Sequence, residues 1–273
     1  MKNHYDIELM TTKAAAIRKN IVLMLKTDKG HLGGSTSIAD IVAALYFGVM
    51  RFDPQDPKKP NRDRFILSKG HSVLAQYGAL IELGLLSRDK LDTLKRLGSP
   101  LQGHPDMKMF PGLEANTGAL GQGVSLANGL ALAGRLDNED FYTYVIVGDG
   151  ELSEGQNWEA IMAAAHYKLD HVIAFIDNNE LQATGKIAER FNTGPYREKF
   201  LGFGWNALEI DGHSIPEILE AVEQAKAGTG KPTAIIAHTI KGKGVSFAEN
   251  NPAFHHNAMT PEQYELALKE TTP

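Results

Sequence analysis

Apolar residues near the start of the chain recur at threes and fours. Met10, Ala14, Ile17, Ile21 and Leu25 form one stripe, with Lys13, Arg18, Lys19 and Lys26 between them. That spacing predicts an amphipathic helix ending near Lys29 and Gly30. A second helix is predicted over 37–47, through Ile41, Leu45 and Phe47. The stretch 53–60 holds three prolines and reads as loop. Beyond residue 60 the rhythm changes. Short apolar runs at 65–67, 142–147, 171–176, 207–210 and 233–237 predict strands. Between them, helices are predicted through Val73, Tyr77, Leu80 and Leu83, over 158–167 and over 215–227. This alternation predicts an α/β fold, a largely parallel sheet with helices on both faces. Thr260 and Pro261 predict the N-cap and first position of a short closing helix. No repeat, low-complexity tract or linker interrupts the pattern, so residues 1–273 are expected to form one domain.

Composition narrows the function classes. Of 273 residues, 42% are hydrophobic and 22% charged, which excludes a wholly disordered chain. Lys and Arg total 28 against 33 Asp and Glu, a net charge of −5 that argues against nucleic acid as a partner. Cysteine is absent, which removes disulfides, thiol nucleophiles and cysteine-ligated zinc. No apolar run approaches the roughly 20 residues of a membrane span. The polar, acidic start lacks the apolar core of a signal peptide. A cytoplasmic protein without a membrane partner is expected.

The segment over 142–155 carries the most chemistry. An apolar strand ends in Gly148-Asp149-Gly150, and a helix follows. Open α/β sheets bind ligands at this C-terminal edge. Glycines let the backbone approach a phosphate, and a helix N-terminus favours its charge. Asp149 can hold a hard cation such as Mg²⁺ there. The alternatives are a plain strand-to-helix turn and a dinucleotide fingerprint. The fingerprint needs a glycine where Ser153 stands. The next strand ends in Asp177-Asn178-Asn179-Glu180-Leu181, and 27 residues separate Gly150 from Asn178. That is room for one helix and one strand, so a βαβ unit brings both strand ends to one edge. The Asn179 amide oxygen and a main-chain carbonyl beyond it can then complete a cation shell.

Gly148-Asp149-Gly150 with Asn178-Asn179 resembles the signature of thiamine diphosphate enzymes. Other segments narrow the resemblance to transketolases. They are Gly30-His31-Leu32-Gly33-Gly34-Ser35, Ser68-Lys69-Gly70-His71, Gln102-Gly103-His104-Pro105, Gly118-Ala119-Leu120-Gly121-Gln122-Gly123, and Lys241-Gly242-Lys243-Gly244 with Phe254-His255-His256. They stand in family order over nearly the whole chain. The resemblance implies thiamine diphosphate with Mg²⁺, or Ca²⁺ or Mn²⁺ in its place. It implies Asp149, Asn179 and the Leu181 carbonyl as metal ligands. Gly150 and His71 would face the diphosphate, Gly118 and Leu120 the aminopyrimidine, and Lys241 would belong to a mobile loop closing over the cofactor.

Of ten histidines, His4, His166, His171, His213 and His238 carry no motif and read as surface or core residues. By resemblance, His31 lines the substrate channel and His104 contacts donor hydroxyls. His255, preferred over His256 because it follows the aromatic Phe254, is the late active-site histidine. With His71 these would move protons, as neutral imidazoles can near pH 7. Glu154 is implied at a subunit interface, in a carboxylate network joining two active sites.

The activity implied is transfer of a two-carbon ketol unit from a ketose phosphate to an aldose phosphate, as in the pentose phosphate pathway. The family's pyrimidine-binding half has no counterpart here. The chain is therefore expected to be the diphosphate-binding subunit of a split transketolase, active in a heterotetramer with that second chain. The small-residue helix after Gly123 suits a close helix contact within the domain or between subunits. Three alternatives stand beside this one. They are a split relative acting on a sulfo-sugar or branched-sugar phosphate, a 2-oxo acid dehydrogenase α subunit, and a non-catalytic regulatory subunit.

Overall fold

Asp6 opens the first helix by accepting a hydrogen bond from the Leu9 backbone N–H, and α1 (Ile7–Met24) follows. The computed structural model describes residues 5–272, so His4 lies outside the described residues. α1 ends earlier than its apolar stripe suggests. The chain turns at Leu25, and Gly30 pairs with Asn257 across an isolated bridge. The helix predicted over 37–47 is broken into pieces. α2 (Leu32–Thr36) precedes α3 (Ala39–Ala44), which runs into a widened helical turn over Leu45–Val49. The break falls where the Ser37 hydroxyl turns away to bond the Asp177 carboxylate at 2.8 Å.

The strands and helices beyond residue 60 follow the predicted alternation. β1 (Arg64–Leu67), α4 (Val73–Glu82) and α5 (Gly123–Leu136) lead to β2 (Thr143–Gly148). α6 (Gly155–His166) and β3 (Val172–Asn178) complete the central βαβ unit. A small hairpin of β4 (Leu181–Gln182) and β5 (Gly185–Lys186) comes next, then α7 (Ile187–Arg190) and α8 (Tyr196–Gly202). None of these four had a sequence signal long enough to read. β6 (Asn206–Asp211), α9 (Ile215–Ala227) and β7 (Thr233–His238) complete the sheet. α10 (Pro261–Thr271) closes with the expected Thr260 cap, reinforced by the Gln263 side chain in a reciprocal capping box.

The five longer strands form one parallel sheet in the order β1-β2-β3-β7-β6. Alternate side chains feed two cores, as the period of two in a strand requires. Phe65, Leu67, Tyr144, Ile146, Ile173 and Phe175 pack under α1, α3, α4, α9 and α10. Ile66, Val145, Val147, Val172, Ala174 and Ile176 pack under α5, α6 and α8. Helices thus cover both faces.

Every strand of this sheet points the same way, so the chemistry-bearing ends meet on one edge. Gly148 lies opposite Asp177, and Asn178 opposite His238. The start of α5 is fixed against this edge, with the Gly123 N–H donating to the Ser68 hydroxyl at 3.1 Å. A Cβ on Gly123 would stand 2.7 Å from the Ser68 Cα. Gly123→Ala is expected to destabilise the chain by about 1–3 kcal/mol through forced backbone movement. An unchanged urea midpoint in that variant would show that the α5–β1 approach is not tight.

Candidate active site

A cleft of about 360 Å³ opens at this edge. Its walls come from the ends of β1, β2 and β3, the 118–120 loop, the β4 hairpin, Lys241 and His255. His31, His71, Asp149, Gly150, Lys241 and His255 line this cleft and not the larger hollow of about 620 Å³ beside Ile187, Pro195 and Tyr196.

Asp149 is buried at the end of β2. Its two oxygens accept from the backbone N–H groups of Gly150 at 2.8 Å and Glu180 at 2.5 Å. Glu180 takes a left-handed backbone, φ 61°, to reach it, an uncommon conformation for a residue with a side chain. Burial, and then the neighbouring Asp177, push the Asp149 carboxyl up to about 7. The Asn179 side-chain oxygen accepts from Leu181 N–H at 3.2 Å. The Leu181 carbonyl accepts from the Lys241 Nζ at 2.8 Å. Lys241, at the start of a turn, is therefore buried inside the cleft wall. Burial, and then Lys69, bring its ammonium down to about 8.

Beneath these groups lies an ion pair that sequence reasoning did not single out. Asp177 is fully buried and accepts from Lys69 Nζ at 2.5 Å, Thr239 Oγ1 at 2.5 Å, Ser37 Oγ at 2.8 Å and Asn179 Nδ2 at 2.8 Å. Burial opposes its charge, but the Lys69 ammonium and the hydrogen bonds outweigh that and hold its carboxyl below the usual range. Lys69 also donates to the Gly34 carbonyl at 2.6 Å. Asn179 thus receives its orientation from Asp177, with the amide nitrogen turned down and the oxygen left toward the Leu181 loop.

The buried glutamate of the Gly-Asp-Gly turn is Glu151. Its carboxylate accepts from Ser68 Oγ at 2.5 Å and from the backbone N–H groups of Gly121 at 2.9 Å and Gly148 at 3.1 Å. It fastens β1, the 118–123 loop and β2 to one another. Glu154, three residues on, is exposed at the cleft rim and makes no capping bond to α6.

Three predicted histidines come together. The His31 ring lies 4.8 Å from that of His71 and 5.3 Å from that of His255, and His71 lies 5.2 Å from His255. Burial lowers all three, His31 to about 3 and His255 to about 4, with His71 further down. They are neutral at pH 7. His256 is exposed and its ring packs on His31 at 4.5 Å. His104 stands outside the floor group, against the 118–120 loop. A Cβ on Gly118 would stand 2.6 Å from its ring, and Gly118 has φ 143°. Leu120 and Gly150 both line the cleft. Of the histidines without a motif, His213 does more than fill space. Its Nδ1 pairs with Asp40 at 2.7 Å, and its Nε2 accepts from the Ile240 N–H at 2.8 Å. That bond holds the backbone next to Lys241.

A parallel sheet with a cleft at its C-terminal edge, lined by Asp149, Asn179, a buried lysine and clustered histidines, defines an α/β domain of the ligand-binding kind. The chain belongs to the transketolase family, since residues 11–271 match the family "Transketolase, thiamine diphosphate binding domain". It is 42% identical over 268 residues to one subunit of the apulose-4-phosphate transketolase of Phocaeicola vulgatus, covering 98% of this chain and 95% of that one. It is 47% identical over 245 residues to a 6-deoxy-6-sulfo-D-fructose transketolase subunit of a Clostridium species, covering 90% and 89%. The transketolase structure from Campylobacter jejuni superposes with a TM-score of 0.90 at 32% identity, over 97% of this chain. The chain spans 43% of that transketolase. No helix among the described residues is long and apolar enough to cross a membrane.

Proposed function

We infer that this chain is the diphosphate-binding subunit of a two-chain transketolase, and that the cleft below Asp149 holds thiamine diphosphate with a divalent cation. The observation that carries the reading is the convergence of Asp149, Asn179 and the Leu181 carbonyl beside the His31–His71–His255 cluster.

The residues fit both groups. Asp149 is a buried carboxylate met only by backbone N–H donors, a state that a bound cation compensates. The donors are all oxygens, the preference of Mg²⁺, and Ca²⁺ and Mn²⁺ take the same set. Among the described residues no group of three or more acidic or histidine side chains gathers as a metal site. A cation here leans on phosphate oxygens to complete its shell. The His255 Nδ1 is buried in the cleft wall with no hydrogen-bond partner among the described residues, and a polar atom of the cofactor would supply one.

Bound thiamine diphosphate supplies the carbanion chemistry by which a two-carbon ketol unit leaves one sugar for another. The chain's part is to bind, orient and move protons. Asp149, Asn179 and Leu181 hold the cation, and Lys241 and His71 face the diphosphate. Gly118 and Leu120 offer backbone groups to the aminopyrimidine. Neutral His31, His104 and His255 can each donate one hydrogen bond to a substrate hydroxyl and accept another, so they orient the hydroxyls and lie on the path of their protons. Glu154 lies on the contact with the second chain, in an assembly of two copies of each. The names of the two similar subunits support a ketose outside the pentose phosphate pathway, of the branched or sulfonated kind.

Reconstitution tests the reading. The purified chain, a pyrimidine-binding chain, Mg²⁺ and thiamine diphosphate should together show ketol transfer, and either chain alone should show none. Turnover by this chain without a second polypeptide, checked by mass spectrometry, would overturn it.

A further inference from the structure

Two ammonium groups, Lys69 and Lys241, face one cleft, and their repulsion favours a Lys241 swung out into water. The backbone that carries Lys241 therefore has to be held. β7 ends at His238, and the segment 239–244 beyond it belongs to no strand. Within the cleft wall, Thr239 is tied to Asp177. The Lys241 carbonyl accepts from the Asn250 N–H at 2.8 Å, and the Gly242 N–H donates to the Gly33 carbonyl at 3.0 Å. A further tie, at Ile240, comes from outside the cleft, and the roles assigned above leave it unused.

His213 makes that tie from the turn between β6 and α9. Asp211 shapes the turn by accepting from the His213 N–H at 2.8 Å and the Ser214 N–H at 3.1 Å. The turn lies directly on the segment, since a Cβ on Gly212 would stand 2.5 Å from the Thr239 methyl. The partners of the two ring nitrogens fix the proton. Asp40, on α3, is paired with Arg18 of α1. Burial opposes the Asp40 charge, but the His213 hydrogen bond and Arg18 outweigh that and hold its carboxyl below the usual range. An ionised carboxylate only accepts, so Nδ1 carries the proton. A backbone N–H only donates, so Nε2 carries none. A second proton would set Nε2–H against the Ile240 N–H and break the tie. The Asp40 and His213 side chains are 10% and 12% exposed, so water does not readily replace either bond.

We propose that His213, oriented by Asp40, is the positioning residue for the 239–244 segment and sets the place of Lys241 in the cleft. The inference rests on the proposed function for what the cleft binds, and not for the tie itself. A His213 with no positioning role would only satisfy the buried Asp40 carboxylate. The two nitrogens separate these roles, since one faces Asp40 and the other faces the segment. Asparagine at 213 puts its amide nitrogen near the former Nδ1, keeps a donor for Asp40 and falls short of Ile240. Glutamine brings its carbonyl oxygen to the former Nε2 and keeps the acceptor for Ile240.

Three measurements decide it. Long-range proton–nitrogen NMR spectra of the full chain at neutral pH should show His213 as the neutral Nδ1–H tautomer. A ring protonated at Nε2 overturns the proposal. In the same chain, amide exchange at Ile240 should speed about fivefold to tenfold in His213→Asn, the worth of one hydrogen bond. It should stay near wild type in His213→Gln. In the assembled enzyme, His213→Asn should raise KM for thiamine diphosphate about tenfold, as one lost contact would. Its kcat at saturating cofactor should be nearly unchanged, which marks a binding role. His213→Gln should keep the wild-type KM. Equal losses in the two variants, a loss confined to His213→Gln, or no loss in either overturns the positioning role and leaves His213 as a partner for Asp40. A wild-type assembly that binds no thiamine diphosphate, alongside the expected tautomer and exchange pattern, would sink the cofactor reading and leave the tie standing.

Discussion

Asp149→Ala should abolish magnesium-dependent retention of thiamine diphosphate by the assembled enzyme. Outer-shell partners of a metal typically contribute 10–100-fold in affinity, and Asp149 is proposed as a ligand of the cation itself, so the loss should exceed about a hundredfold. The substitution should leave the sheet intact. Its carboxylate bonds only to the Gly150 and Glu180 backbones beside it, and it is raised to about 7 because burial and Asp177 oppose its charge. Removing such a group costs folding little and binding much. Calorimetry that finds wild-type cofactor affinity in Asp149→Ala would refute the ligand assignment, and a lost near-ultraviolet CD signal would show damage to the fold instead.

The opposite pattern is expected at Asp177. Asp177→Ala should destabilise the chain by about 3–5 kcal/mol, because it strands the Lys69 ammonium in the interior. Lys69 is only 3% exposed, and its remaining partners are the Gly34 carbonyl and the Ser37 hydroxyl. Removing both charges together, in Lys69→Met with Asp177→Leu, should recover much of that loss, since apolar replacements of a buried pair are often neutral. Cofactor binding should not recover, because Asn179 loses the acceptor that orients its amide. Urea titration of the three proteins separates these outcomes. A single variant as stable as wild type would mean that water reaches Lys69.

What could be read beforehand follows from range. β2 and β3 are continuous apolar runs closed by polar residues, and both appeared in the sequence within two residues of their ends. Their parallel register then brings Gly148 opposite Asp177, so the placing of Asp149 and Asn179 in one cleft at the sheet edge was legible from spacing and topology. The ion pair was not. Lys69 and Asp177 are 108 residues apart, and their contact arises only when β1, β2 and β3 lie side by side. Glu151 and Glu154 show a second limit. They share the same short segment, but the tight turn over Gly150–Ser153 buries one and turns the other outward. No periodicity ranks them. α8 was missed because Tyr196 and Phe200, its two buried residues, make a stripe of only one turn.

The order of the strands also bears on how the chain is made. β7, the last of these strands to be synthesised, occupies the interior of the sheet, between β3 and β6. Until residue 238 has left the ribosome, Ile173, Phe175 and the rest of β3 present an unpaired apolar edge. Such edges recruit other chains, and pairings across long stretches of sequence form slowly. A nascent chain is therefore most exposed to aggregation just before β7 emerges, and nonsense truncations upstream of it should yield insoluble product rather than a shortened domain.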